Sequence, residues 1–225
     1  MYYAYLFATL PLLLVWTLLY VRRKDLRQEM LSMSFLLGFL SVVTSYYWWT
    51  IDWWRPLTVT GTKVGIEDFL MGFFMGGIIA IIYEVITTRR YSKNHVRSHG
   101  PYDFWLILLL LAQTTSWLFY GIHLTSFYAS SLAMLLAAGV MLFIRRDLII
   151  NAMISGACTA LISMLFYATA LLISSSWVSM TYLNSLSGVR VSGVPIEEFI
   201  FWFLAGLVFG PFYEFWKGLR LKKLS

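Results

Sequence analysis

Charge is scarce in this chain: 12% of its 225 residues carry it, about half the share usual for soluble domains. That excludes an ordinary water-soluble globular protein. Cysteine is scarcer still, and the single Cys158 excludes an internal disulfide and gives no basis for a thiolate metal site. His95, His99 and His123 fall between apolar runs without ligand spacing, so no metal is expected. No Gly-rich fingerprint follows a strand pattern, and no nucleotide or flavin cofactor is expected either. What the chain does have is apolar length, at 60% hydrophobic residues.

Seven stretches are long enough to cross a hydrocarbon core of about 30 Å. They run over 3–21, 28–49, 66–86, 103–122, 126–144, 149–174 and 195–216. The expectation is an all-α, multi-pass membrane protein whose first partner is the lipid bilayer. The first stretch precedes its basic cluster and lacks a small-residue cleavage site, so it reads as a retained helix.

The cations sort by loop. Arg22, Arg23, Lys24, Arg27, Arg89, Arg90, Lys93, Arg97, Arg145, Arg146, Lys217, Arg220, Lys222 and Lys223 share one side, 14 of the 17. Arg55, Lys63 and Arg190 occupy the other. By the positive-inside rule the N-terminus is outside and the C-terminus cytoplasmic. The expected location is the cell membrane of a prokaryote. The net charge of +6 belongs to this distribution, not to a nucleic-acid partner. Oligomeric state stays open.

The chain also repeats itself. Val64–Glu84 and Val194–Glu214, laid together without a gap, agree at 8 of 21 positions, including Glu67 with Glu197 and the closing Tyr-Glu pairs. Arg22-Arg23-Lys24-Asp25-Leu26 after the first span resembles Arg145-Arg146-Asp147-Leu148 after the fifth. The expected plan is one membrane domain, 1–225, built as a parallel 3+1+3 repeat. Residues 1–90 form the first three-helix unit, 91–125 a connector with the fourth span, and 126–225 the second unit. Glu67/Asp68 and Glu197/Glu198 then share one outer depth.

Two acids in the first turn of a helix are common, because they favour the positive end of the helix dipole. Their doubling, their repetition and the membrane setting point further, toward function. Glu67 to Glu84 spans about 26 Å of helix, with acid at both ends and no charge after Asp68 until Glu84. Phe69 and Phe73 lie between the acids of the third span, and Phe199, Trp202 and Phe203 between those of the seventh. An aromatic-lined apolar channel of this length suits a long greasy substrate. The pairs Gly72/Gly76 and Gly206/Gly210 suit close helix packing. Tyr46–Trp54 and Trp177–Tyr182 read first as an interfacial aromatic belt and second as rings lining a site. Glu84 and Glu214 are expected to ion-pair with Arg89/Arg90 and Lys217/Arg220.

At Pro195-Ile196-Glu197-Glu198-Phe199 the chain resembles the lycopene cyclase domain family, flavin-free integral-membrane carotenoid cyclases. Trp54, Pro56 and Gly61 match the family's upstream residues, and both repeats are covered. The first copy departs from the pattern: Gly65-Ile66-Glu67-Asp68 lacks the proline and carries Asp as its second acid.

The resemblance implies a redox-neutral, proton-initiated cyclisation of the ψ end groups of lycopene or a related polyprenoid. It implies Glu197, Glu198, Glu67 and Asp68 as the acid and base groups. It also implies Trp54, Phe69, Phe73, Phe199, Trp202 and Phe203 around the substrate, and no cofactor. A non-catalytic carotenoid- or lipid-binding protein of the same fold is the alternative, followed by a proton pathway.

Overall fold

The computed structural model describes residues 3–91, 101–183 and 187–223. His95, His99, Lys93 and Arg97 lie outside them. Among the described residues seven helices are long and apolar enough to cross a membrane. They are α1 (Ala4–Arg22), α2 (Lys24–Asp52), α3 (Ile66–Ile86), α4 (Tyr102–Gly121), α5 (Ser126–Ile144), α6 (Arg146–Ile173) and α7 (Ile196–Lys217). They fall on the seven expected stretches, with α2 and α6 reaching further at their ends. Helix α2 carries on because a π-helical turn, Ser45–Trp49, continues it to Asp52.

The helix starts that matter most are α3 and α7. At α3 the carboxylate of Asp68 accepts from the Gly65 N–H at 2.9 Å, satisfying one of the orphan donors of a first turn. Helix α7 starts after Pro195, which ends a two-residue hairpin, Arg190–Val191 against Val194–Pro195. The turn of that hairpin is Ser192-Gly193, with φ of 51° and 84°. Gly193 takes the left-handed conformation without a Cβ penalty.

In lipid, helices associate through packing more than through apolar burial, so small residues decide which pairs come close. Helix α2 lies along α3, and a Cβ on Gly76 would stand 2.7 Å from the Met33 carbonyl oxygen. Helix α6 lies along α7 in the same manner, and a Cβ on Gly206 would stand 2.7 Å from the Ser155 carbonyl oxygen. Helices α3 and α7 are the most buried of the seven. Helix α1 closes against α6, burying Tyr5, Ala8 and Leu12. Helix α4 leans on α5 and, through Phe104, on Phe212 and Trp216 of α7.

Helices α2 and α5 meet mainly where the C-terminal end of α2 passes the start of α5. There Asp52 accepts from the Ser126 N–H at 3.0 Å and from its hydroxyl at 2.5 Å, an anion on the start of α5. The segments that follow α2 and α6 also pair. Arg55 N–H donates to the Thr181 carbonyl at 2.9 Å and Leu183 N–H to the Trp53 carbonyl at 3.0 Å.

At the basic end Glu84 and Glu214 are both fully buried, and the side chains of Arg89 and Arg90, the expected partners of Glu84, lie outside those described. The Asn151 amide joins them, donating to Glu214 Oε1 at 3.0 Å and to Glu84 Oε1 at 3.4 Å. Arg23 and Arg145 reach the backbone at these helix ends. Arg23 binds Asp25 and donates to the Glu84 carbonyl at 3.0 Å. Arg145 binds Asp147 and donates to the Glu214 carbonyl at 3.4 Å. Turning the carboxyls inward gives the last-turn carbonyls to the guanidiniums.

Candidate active site

All four paired acids are buried, but they divide into two roles. Glu67 Oε1 accepts from the Val59 N–H at 2.6 Å, and Glu197 Oε1 accepts from the Ser187 N–H at 2.7 Å. The first acid of each pair therefore ties down the loop that leads into its own helix. The second acid of each pair points elsewhere: Asp68 and Glu198 both line one cavity.

That cavity has a volume of about 210 Å³. It is bounded by α2, α3, α4, α5 and α7, with Tyr5 of α1 and Tyr167 of α6 at the acid end. Along α3 its wall runs from Asp68 through Met71, Gly72 and Met75 to Ile79. At the standard helical rise that is about 17 Å, a slot suited to a long, narrow, apolar molecule. Hydroxyl groups hold both carboxyls. Asp68 Oδ1 accepts from Ser45 at 3.0 Å and from Tyr5 at 3.2 Å. Glu198 Oε2 accepts from Tyr167, whose hydroxyl is also near the Trp202 indole N–H at 3.4 Å and the Tyr182 hydroxyl at 3.5 Å.

Around this end the walls are aromatic. Trp54 stands edge-on to Tyr5 at 5.9 Å and to Tyr167 at 6.4 Å between ring centres, so it lies between the partners of the two acids. Trp49 and Trp53 each pack on Phe201 at 5.2 Å, and Phe201 packs on Trp202 at 5.5 Å. Trp177 and Tyr182 pack on Trp54 from its other sides, and all three are buried. Burial under these rings pushes the phenol of Tyr182 well above its ordinary range. A cation forming in the cavity would meet ring faces, which attract it, and little water.

Of the residues expected around a substrate, Trp54 and Trp202 line this cavity. Phe69, Phe73, Phe199 and Phe203 do not. Phe69 lies over Gly38 and against Phe39, Phe73 packs on Phe35 and Trp16, and Phe203 covers Gly156. Helical period explains the split: positions 68, 71, 72, 75 and 79 share the cavity side of α3, while 69 and 73 turn toward α2. Phe199 is half-buried at the edge of the core.

While Trp49 and Trp53 belong to the segment read second as lining a site, three residues at the acid end carry weight that the sequence reading did not give them: Tyr5, Ser45 and Tyr167. Their signal was present. Tyr5 and Tyr167 are hydroxyls set inside apolar runs, where a polar group has to find a buried partner.

The sequence model of a protein family described as lycopene cyclase matches residues 1–86 and 125–216. The matched stretches contain both acid pairs and leave out α4 entirely. No curated protein and no solved structure matches the chain.

Proposed function

From the premise that this chain belongs to the lycopene cyclase family, we propose that it closes the ψ ends of lycopene, or of a related polyprenoid, into rings within the membrane. The observation that carries this is the presence of Asp68 and Glu198 in one aromatic-walled apolar cavity. A cyclisation without redox change needs one proton delivered and one removed, and two carboxyl groups at one site supply both.

Glu198 is assigned as the acid. The Tyr167 hydroxyl beside it can accept as well as donate, so Glu198 keeps a partner while it carries its proton. Asp68 is assigned as the base. The Gly65 N–H can only donate, and it fits a carboxylate. Protonation of the terminal double bond leaves a tertiary cation, and the neighbouring double bond closes the ring on it. The charge passes to a ring carbon against Trp54 and Trp202, and loss of an adjacent proton to Asp68 restores a double bond. Atoms and electrons balance, since the product is an isomer of the substrate. Glu67 and Glu197 are positioning residues, acting through the loops they hold.

The same reading takes the chain as a parallel repeat around α4, with the acids at the outer end and the basic loops in the cytoplasm. Laying Arg23–Leu26 on Arg145–Leu148 sets Glu29 on Asn151 and Ser45 on Tyr167. Ser45 bonds the second acid of the first pair and Tyr167 that of the second, which supports the repeat.

Expression in a lycopene-accumulating bacterium, with the pigments separated and identified, tests the reaction. Cyclic carotenoid is the expected product. Unchanged lycopene alongside well-folded protein in the membrane would overturn the reading.

A further inference from the structure

We propose that the polyene reaches the acids sideways from the bilayer, through a seam between α2 and α4. This rests on the cyclase reading for the identity of the occupant. Four observations carry it.

The cavity wall is shared by these two helices, with Leu40 and Val43 on α2 and Leu108 and Ala112 on α4. Val43 and Ala112 belong to that wall and are also exposed on the outside of the bundle, so the cavity reaches the lipid-facing surface between them. Among the described residues α2 and α4 make no extended contact with each other, since α4 packs on α5 and α2 on α3.

The equivalent seam on the proposed repeat is closed. There α1 packs on α6 and buries Tyr5, Ala8 and Leu12. Its counterpart, α5 against α2, is where the cavity lies, and α4 stands beside the opening instead of sealing it. The other exits are shut as well. Buried Trp53, Trp54, Trp177 and Tyr182 cover the outer end, and Asn151 with Glu84 and Glu214 fills the inner end.

What joins the two sides of the seam is a clasp at its outer rim, where the Tyr120 hydroxyl donates to the Tyr47 carbonyl at 2.6 Å. Both residues sit in π-helical turns, Ser45–Trp49 on α2 and Trp117–Gly121 on α4. Such turns break the regular ladder and are frequent where helices serve function. An apolar chain entering below this clasp leaves lipid for an apolar slot and exposes nothing to water.

The test is a double variant, Val43→Cys with Ala112→Cys, in a Cys158→Ser background. It is placed in lipid vesicles and bridged with a bismaleimide that contains a reducible disulfide. Two readouts are followed: conversion of lycopene, and energy transfer from the cavity tryptophans to parinaric acid, a conjugated fatty acid that reports entry without any chemistry. Bridging should abolish both, and reducing the linker should restore both. Reduction is the control for bulk at the seam, because it leaves both maleimide adducts in place and removes only the bridge.

Energy transfer that survives bridging overturns the lateral route. So does a bridged product that joins two chains, because a second copy would then cover the seam. A protein that takes up parinaric acid until bridged, yet never forms a ring, sinks the cyclase reading and upholds the route.

Discussion

Asp68 and Glu198 stand 130 residues apart in the chain and line the same cavity from two different helices. Neither acid is the first of its pair. Glu67 and Glu197, one residue earlier, turn instead to the backbone N–H groups of Val59 and Ser187.

That division sets the first prediction. Glu198→Gln and Asp68→Asn should each lower ring formation by about 10²–10⁴-fold, the range for a lost general acid or base. Glu67→Gln and Glu197→Gln keep a carbonyl oxygen for the loop N–H and should retain most activity. Timed conversion of lycopene in vesicles, normalised to folded protein, separates the four. Equal losses at all of them would remove the distinction between chemistry and positioning.

Tyr167→Phe should leave the fold in place and slow the reaction about ten- to hundredfold, matching a lost hydrogen bond to a reacting carboxyl of about 1.5–3 kcal/mol. Because Tyr167 acts through Glu198, a merely structural role would show as lost yield and melting temperature with an unchanged rate per folded molecule. Rate and melting curve measured on one preparation decide between them.

Gly206→Val forces side-chain atoms against the Ser155 carbonyl oxygen, which a Cβ alone would approach to 2.7 Å. Overpacking of this kind costs about 1–3 kcal/mol, and here it separates α6 from α7. The variant should melt earlier in detergent. It should also lose activity, since α6 carries Tyr167 and α7 carries Glu198. A melting temperature equal to that of the wild type would mean the two helices do not need this closeness.

Asn151→Leu removes the amide donor from the buried carboxyls of Glu84 and Glu214. The expected cost is about 1.5–3 kcal/mol of stability, read as earlier thermal unfolding. Activity per folded molecule should hold, because this cluster lies at the opposite end from Asp68 and Glu198. A rate loss without a stability loss would instead tie the inner cluster to the chemistry.

The seven spans could be read from the sequence because apolar length alone identifies a membrane helix. The acid pairs could be found because a charge inside such a helix stands out against its surroundings. The sides of α3 and α7 could not be assigned. Phe69, Phe73 and Phe203 look the same in a string whether they turn to a substrate or to a neighbouring helix, and here they fill helix seams. The partner shared by Glu84 and Glu214 was hidden for a related reason: Asn151 lies more than 60 positions from each, beyond the reach of a local reading. Ser45 and Tyr167 were hidden because they differ in residue type, and a search for identical letters passes over both even where the proposed repeat would set them at equivalent places.

A lateral mouth between α2 and α4, as proposed, has a consequence for a substrate with two ends. Only a single end at a time can sit between the carboxyls, so a molecule carrying a ring at each tip must slip back into the lipid, reverse, and be taken up again. Half-finished product should therefore build up early and decline later, and its share should grow as fresh lycopene competes for re-entry.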